Sequence, residues 1–203
     1  MRLIRNIPAI AGLAMSFMTS HAHASDVFMK TGDITSQPIG HYEFCHNHPN
    51  ECTLHTTGTI KPVQLTQGIW NTILKVNHSV NTRIHSATDI ELYGKEEYWA
   101  YPTDAGDCED YVLLKRRELH AKGLPLSALL ITVVQKPDGE GHAVLTVRTD
   151  RGDFVLDNLR DEVLNWRNTK YTYLKRQSTH HAGLWVIIEK PADMFVGSVS
   201  AAK

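Results

Sequence analysis

Gly106-Asp107-Cys108-Glu109-Asp110-Tyr111 runs straight into Val112-Leu113-Leu114-Lys115-Arg116-Arg117-Glu118-Leu119, and the reading of this stretch decides the fold. Its second half predicts a helix, because Val112, Leu119 and either Leu113 or Leu114 share one face at a spacing of three to four residues. Asp107 suits the N-cap and Gly123-Leu124-Pro125 is a stop signal. Cys108 then falls in the first helical turn. There the unpaired N–H groups and the positive end of the helix dipole favour a thiolate over a thiol. A cysteine so placed is a candidate nucleophile, and a buried, inert thiol is the competing reading.

Downstream of the helix the pattern changes to extended chain. Ala128 to Val134 is a continuous apolar run that predicts a strand, and Pro137-Asp138-Gly139-Glu140-Gly141 predicts a turn. His142 to Arg148 and Asp153 to Leu159 read as two further strands joined at Thr149-Asp150-Arg151-Gly152. Three successive strands linked by hairpins predict an antiparallel sheet. Asp161 to Trp166 reads as a short helix or turn, Tyr171 to Leu174 and Leu184 to Ile188 as strands, and the tail from Pro191 as mobile chain.

Upstream, Thr66 to Arg83 predicts a helix capped by Thr66, with Ile69, Ile73, Val76 and Val80 on its apolar face. Asn77 and Asn81 lie four apart on one side of it and suit holding the next segment. Ser25 to Gly40 reads as an irregular lead-in and Ile84 to Gly94, which contains Asp89, as a loop with one short extended piece. Trp99 and Tyr101, just before the cysteine turn, are candidates for walling a cleft beside Cys108, with plain core as the alternative.

The 203 residues carry 21 basic and 22 acidic side chains, with no basic block, which argues against nucleic acid as a partner. The N-terminus has the pattern of an export signal. Arg2 and Arg5 precede a mostly apolar stretch from Ile7 to Met18, and Ala22-His23-Ala24 fits a small-x-small cleavage site. The apolar stretch is short of the ~20 residues a membrane span needs, so no stable membrane insertion is expected. Residues 1–24 are read as a signal peptide and residues 25–203 as one domain. In an exported chain, Cys45 and Cys52, seven residues apart, predict a disulfide closing a short loop. A metal site from Cys45, His46, His48, Cys52 and His55 is the alternative, although the spacing matches no standard zinc pattern. The disulfide leaves Cys108 as a free thiol in an oxidising compartment.

His142 opens one predicted strand and Asp157 lies near the end of the next. A hairpin turning on Asp150-Arg151 sets His142 opposite Leu159, with Asp157 one diagonal step away on the same face, about 7–8 Å between backbones. A slip of one residue would separate them. In the expected register Asp157 can fix one imidazole nitrogen while the other receives a proton from Cys108. That is the division into nucleophile, base and orienting acid found on unrelated folds.

Together, Gly106-Asp107-Cys108-Glu109-Asp110-Tyr111, Gly141-His142-Ala143-Val144-Leu145 and Asp153-Phe154-Val155-Leu156-Asp157-Asn158-Leu159 resemble the motifs of the bacterial transglutaminase-like cysteine proteinases, including the LapG-type periplasmic proteases. Phe44-Cys45 with Cys52, Trp70, Asn77, Asn81, Asp89, Trp99 and Pro102 also resemble family positions. The resemblance implies an α+β fold with a papain/transglutaminase-like core, a nucleophile-bearing helix packed on an antiparallel sheet. It implies catalysis by Cys108, His142 and Asp157. It also implies a calcium ion beside the nucleophile, held by Asp107 and Glu109, with Asp110 a further candidate. Three acids in four residues repel one another, and a hard cation relieves that. The implied substrate is a large surface adhesin, cut near its N-terminus to control biofilm attachment. The implied partner is an inner-membrane cyclic di-GMP receptor acting through its periplasmic domain. Acyl transfer to an amine, as in transglutaminases, uses the same triad and is the first alternative. A non-catalytic periplasmic peptide- or metal-binding module, the latter resting on His41 to His55, is the second.

Overall fold

The computed structural model describes residues 27–54 and 60–190, so the expected leader and its cleavage point, His55 and the tail from Pro191 lie outside the described residues. In chain order the elements are β1 (Thr31–Thr35), α1 (Ile39–Asn47), α2 (Gln67–Arg83), β2 (His85–Ser86), α3 (Asp89–Tyr93), β3 (Ala105–Gly106) and α4 (Cys108–Ala121). Then follow β4 (Leu129–Gln135), β5 (Gly141–Thr149), β6 (Gly152–Leu156), β7 (Leu164–Asn165), β8 (Thr172–Gln177) and β9 (Trp185–Ile188). Seven strands form one antiparallel sheet in the order β1-β9-β8-β4-β5-β6-β7, while β2 and β3 make a small parallel pair. The fold is α+β, with the Cys108 helix packed against β4, β5 and α2. No helix among the described residues is long and apolar enough to cross a membrane.

The unbroken apolar run of β4 follows from burial on both faces. Leu129 and Ile131 join Leu145, Val147, Leu156 and the residues of α2 and α4 in one core. Val134 joins Val144, Val155, Trp166, Tyr173, Met29 and Ile188 in a second core across the sheet. The β5–β6 hairpin turns on Asp150-Arg151, with Thr149 opposite Gly152 and Leu145 opposite Leu156, which is the expected register. Gly152 sits at φ +128°, a conformation that side-chain-bearing residues rarely adopt.

α4 is buried on nearly every side: Val112, Leu113, Leu114 and Leu119 are inside, and so are Lys115 and Arg116. A charge in such a place needs partners. Arg116 donates from Nε to the Leu129 carbonyl at 3.1 Å and faces Glu51 at 3.5 Å, which ties the disulfide loop to the helix. α2 begins where expected, with the Thr66 side chain accepting from Ile69 N. Its Asn77 and Asn81 donate to the backbone carbonyls of Asp157, Arg160 and Asp161, holding the segment that follows β6.

Three expectations need correction. The lead-in is not irregular throughout, because Thr31–Thr35 pairs with β9 as an edge strand. Its side chains are mostly exposed, so it carries no hydrophobic alternation to read. The Ile84–Gly94 loop contains α3, fixed by a reciprocal capping box between Thr88 and Glu91. Asp161–Trp166, expected as a short helix or turn, contains a short strand at Leu164–Asn165, and a 3-10 turn begins only at Trp166 and spans Trp166–Asn168. Asp107 stands at the N-cap position of α4, but its side chain makes no capping hydrogen bond.

Cys45 and Cys52 form the expected disulfide, with their Cα atoms 5.5 Å apart, so neither supplies the thiolate that the alternative metal site requires. Replacing both cysteines by serine removes the closure of this short loop. The expected cost is about 2–3 kcal/mol, read as a lower midpoint in urea with an unchanged slope.

Candidate active site

The site begins at the first residue of α4. Cys108 is the one free cysteine among the described residues. Its Sγ donates to Glu109 Oε2 at 3.0 Å and accepts from the Ala143 backbone N–H at 3.4 Å. The second contact brings the start of β5 against the thiol and puts His142 next to it in sequence. His142 Nε2 meets Asp157 Oδ1 at 2.9 Å, and both side chains are buried. Asp157 follows the last residue of β6, so the hairpin register delivers acid and imidazole to each other as the sequence requires. The same Oδ1 accepts from Leu159 N at 3.0 Å, and Oδ2 accepts from the Tyr171 hydroxyl at 2.5 Å. Burial alone would raise the Asp157 carboxyl, but the bonds from His142, Tyr171 and Leu159 outweigh it and hold the group below the ordinary carboxylate range.

The acids around the thiol are electrostatically opposed to it. Burial pushes the Cys108 thiol well up, and the Glu109 carboxylate pushes it further. The helix dipole does not prevail in these surroundings. Burial, with the charges of Glu109 and Asp89, pushes Asp107 up to about 8. Asp89, Asp107 and Glu109 each place a carboxylate oxygen within 4.8 Å of the others, a group that could hold a metal ion. Asp89 Oδ1 and Asp107 Oδ1 are buried without a hydrogen-bond partner among the described residues. Asp89 Oδ2 accepts from Tyr98 N. Buried carboxylate oxygens left without donors are what a hard cation takes as ligands, so the donor set fits calcium.

Asp110, expected as a further ligand, does not belong to this group. Its Oδ1 accepts from Ala100 N at 2.8 Å, and burial pushes the group up to about 8. The carboxylate lies against Gly106, where an added Cβ would come within 2.6 Å of Asp110 Oδ2. Gly106 is therefore small to admit Asp110. Asp89, which replaces it in the group, comes from a distant segment. The capping box Thr88-x-x-Glu91 is the sequence signal that would have put it in the first turn of a helix.

Trp99 lies in the main core, and Tyr101 packs against it. Trp99 is 5% exposed, donates to Glu97 Oε1 and packs edge-on against His41. Tyr101 packs on Phe44 and His48 beneath Arg117. The sequence also gave no pointer to Tyr171 or to Arg160, whose Nε lies 3.5 Å from Asp157 Oδ2.

An Asp157→Asn variant keeps the shape and removes the charge. A carboxyl held below its ordinary range contributes stability above about pH 4 and loses it as pH falls through its folded value. Chemical denaturation should therefore show wild type ahead of the variant at neutral pH, with the gap closing in acid. A gap independent of pH would contradict the assigned bonds.

The family model for the bacterial transglutaminase-like cysteine proteinase BTLCP matches residues 31–193. Among solved structures, calcium-bound LapG of Legionella pneumophila is similar at 24% identity and a TM-score of 0.51, over 61% of this chain and 73% of that one. Another structure of Legionella pneumophila LapG is similar at 25% identity and a TM-score of 0.50, over 64% and 74% of the two chains. The EGTA-treated form is similar at 24% identity and a TM-score of 0.50, over the same shares. Curated proteins offer no match. With a family model covering most of its length, on a helix-and-sheet frame shared with LapG, this chain belongs to the bacterial transglutaminase-like cysteine proteinases and is a cysteine protease.

Proposed function

We propose that the protein is a periplasmic endopeptidase in which Cys108 is the nucleophile, His142 the general base and Asp157 the acid that orients the imidazole. The reading is carried by one pair of contacts: His142 Nε2 on Asp157 at 2.9 Å, and the adjoining Ala143 N–H on Cys108 Sγ at 3.4 Å. With Nε2 committed to Asp157, Nδ1 is the nitrogen left to take the thiol proton. The thiolate attacks a peptide carbonyl and forms a C–S bond. The oxyanion is stabilised by the backbone N–H of Cys108 at the start of α4. Protonated His142 returns its proton to the leaving amine as the C–N bond breaks. Water, deprotonated by His142, then cleaves the thioester and frees the thiol.

Asp89, Asp107 and Glu109 would hold calcium. Bound there, it supplies positive charge that offsets the carboxylates opposing a thiolate. The likeness to a calcium-bound LapG supports this assignment. Export with cleavage after Ala24, and a mature chain from Ser25, fit a periplasmic location. The family resemblance supports a large surface adhesin as substrate, cut near its N-terminus to control biofilm attachment. It likewise supports regulation by an inner-membrane cyclic di-GMP receptor.

The test incubates residues 25–203 with the N-terminal portion of a surface adhesin from the same cell and a labelled primary amine, in calcium and in EGTA. Expected is cleavage without amine incorporation, present in calcium, lost in EGTA and lost in Cys108→Ser. Amine incorporation would make the protein a transglutaminase-type acyl transferase. Binding of the adhesin without either reaction would make it a non-catalytic module.

A further inference from the structure

Asp157 receives bonds on both oxygens. Oδ1 serves His142 and Leu159, and Oδ2 serves the Tyr171 hydroxyl at 2.5 Å, with Arg160 Nε farther off at 3.5 Å. Tyr171 also sets its ring against the imidazole of His142, with centroids 5.6 Å apart and planes at 60°. One side chain therefore touches both buried members of the pair. Its place is fixed by the sheet. Thr172, the next residue, pairs with Gln135 of β4, and the neighbouring Val134 pairs on its other side with His142 of β5. Tyr171, His142 and Asp157 thus sit on or beside three different strands held in one register.

We infer that Tyr171 is a positioning residue for the protease site: its hydroxyl locks the second carboxylate oxygen of Asp157 while its ring covers the imidazole. This rests on the triad reading above. Asp157 is 1% exposed, so deleting the hydroxyl leaves Oδ2 buried with only the distant Arg160. The carboxylate is then free to turn about its own bond, and the imidazole it orients turns with it. Burial and the adjacent Asp157 push the Tyr171 phenol up to about 12, so it remains a donor throughout the working range. The other cations facing this carboxylate are Arg160 and, from α4, the buried Lys115, and a Tyr171→Phe change leaves both in place.

The experiment measures alkylation of Cys108 by iodoacetamide from about pH 5 to about pH 9 with calcium present, in wild type, Tyr171→Phe, Tyr171→Leu and His142→Ala, alongside thermal melts. The neutral-pH rate should fall about tenfold in Tyr171→Phe and further in Tyr171→Leu, with the alkaline limit of Tyr171→Phe unchanged and its melting temperature lowered only by the loss of one buried hydrogen bond. A Tyr171→Phe profile that superimposes on wild type, while His142→Ala loses its neutral-pH reactivity, overturns the inference alone. A fall at every pH with a melting temperature lowered beyond the loss of that bond also overturns it, since that marks general loosening. A wild-type profile in His142→Ala removes the triad reading and this inference with it.

Discussion

Burial of acids around a thiol is the constraint on which the rest of this structure depends. α4 is enclosed by the sheet, by α2 and by the disulfide loop, and its first turn carries Cys108 between Asp107 and Glu109. Glu109 and Asp89 raise Asp107, and burial with Glu109 and Asp107 raises the thiol. Such a cluster is unfavourable unless something compensates for it. Asp110 finds partial relief in the Ala100 N–H. Asp89, Asp107 and Glu109 converge within 4.8 Å of one another, and Asp89 and Asp107 each keep a buried oxygen without a partner among the described residues, which is the arrangement a divalent cation satisfies.

The remaining architecture supplies rigidity to this helix start. Arg116 joins α4 both to the Leu129 carbonyl and to Glu51, so the loop closed by Cys45 and Cys52 is anchored to the same helix. From the other side, Asn81 of α2 holds the Asp157 carbonyl at 2.9 Å. The ladder between β5 and β6 then fixes how far Asp157 stands from His142. Thiol, imidazole and carboxylate arrive from a helix, a strand start and a strand end. No one element could be displaced without parting the group.

Legibility in the sequence followed the physics of each segment. The hairpin could be read because β5 and β6 are buried on both faces and turn at a marked dipeptide, so the register brought His142 to Asp157. α2 could be read from Thr66 and the spacing of Ile69, Ile73, Val76 and Val80. β1 could not, because an exposed edge strand has no apolar pattern to show. α3 is only five residues long, and its capping box is a weaker signal than periodicity. The carboxylate group was half legible. Asp107 and Glu109 lie beside Cys108 in the chain, but Asp89 joins them only through the fold, and Asp110 sits against Gly106 and Ala100 outside the group, a placement that linear spacing does not reveal. Trp99 was ambiguous in the sequence, and burial against His41 resolves it as core.

The most direct measurement is the rate of Cys108 alkylation near neutral pH in calcium and in EGTA, for wild type, Asp89→Asn and Asp110→Asn. If the converging carboxylates oppose the thiolate until a cation offsets them, calcium raises the wild-type rate by about tenfold or more. Asp110→Asn then keeps that response and Asp89→Asn loses it. Equal rates in calcium and EGTA, or a calcium response that survives Asp89→Asn and disappears in Asp110→Asn, would contradict the account.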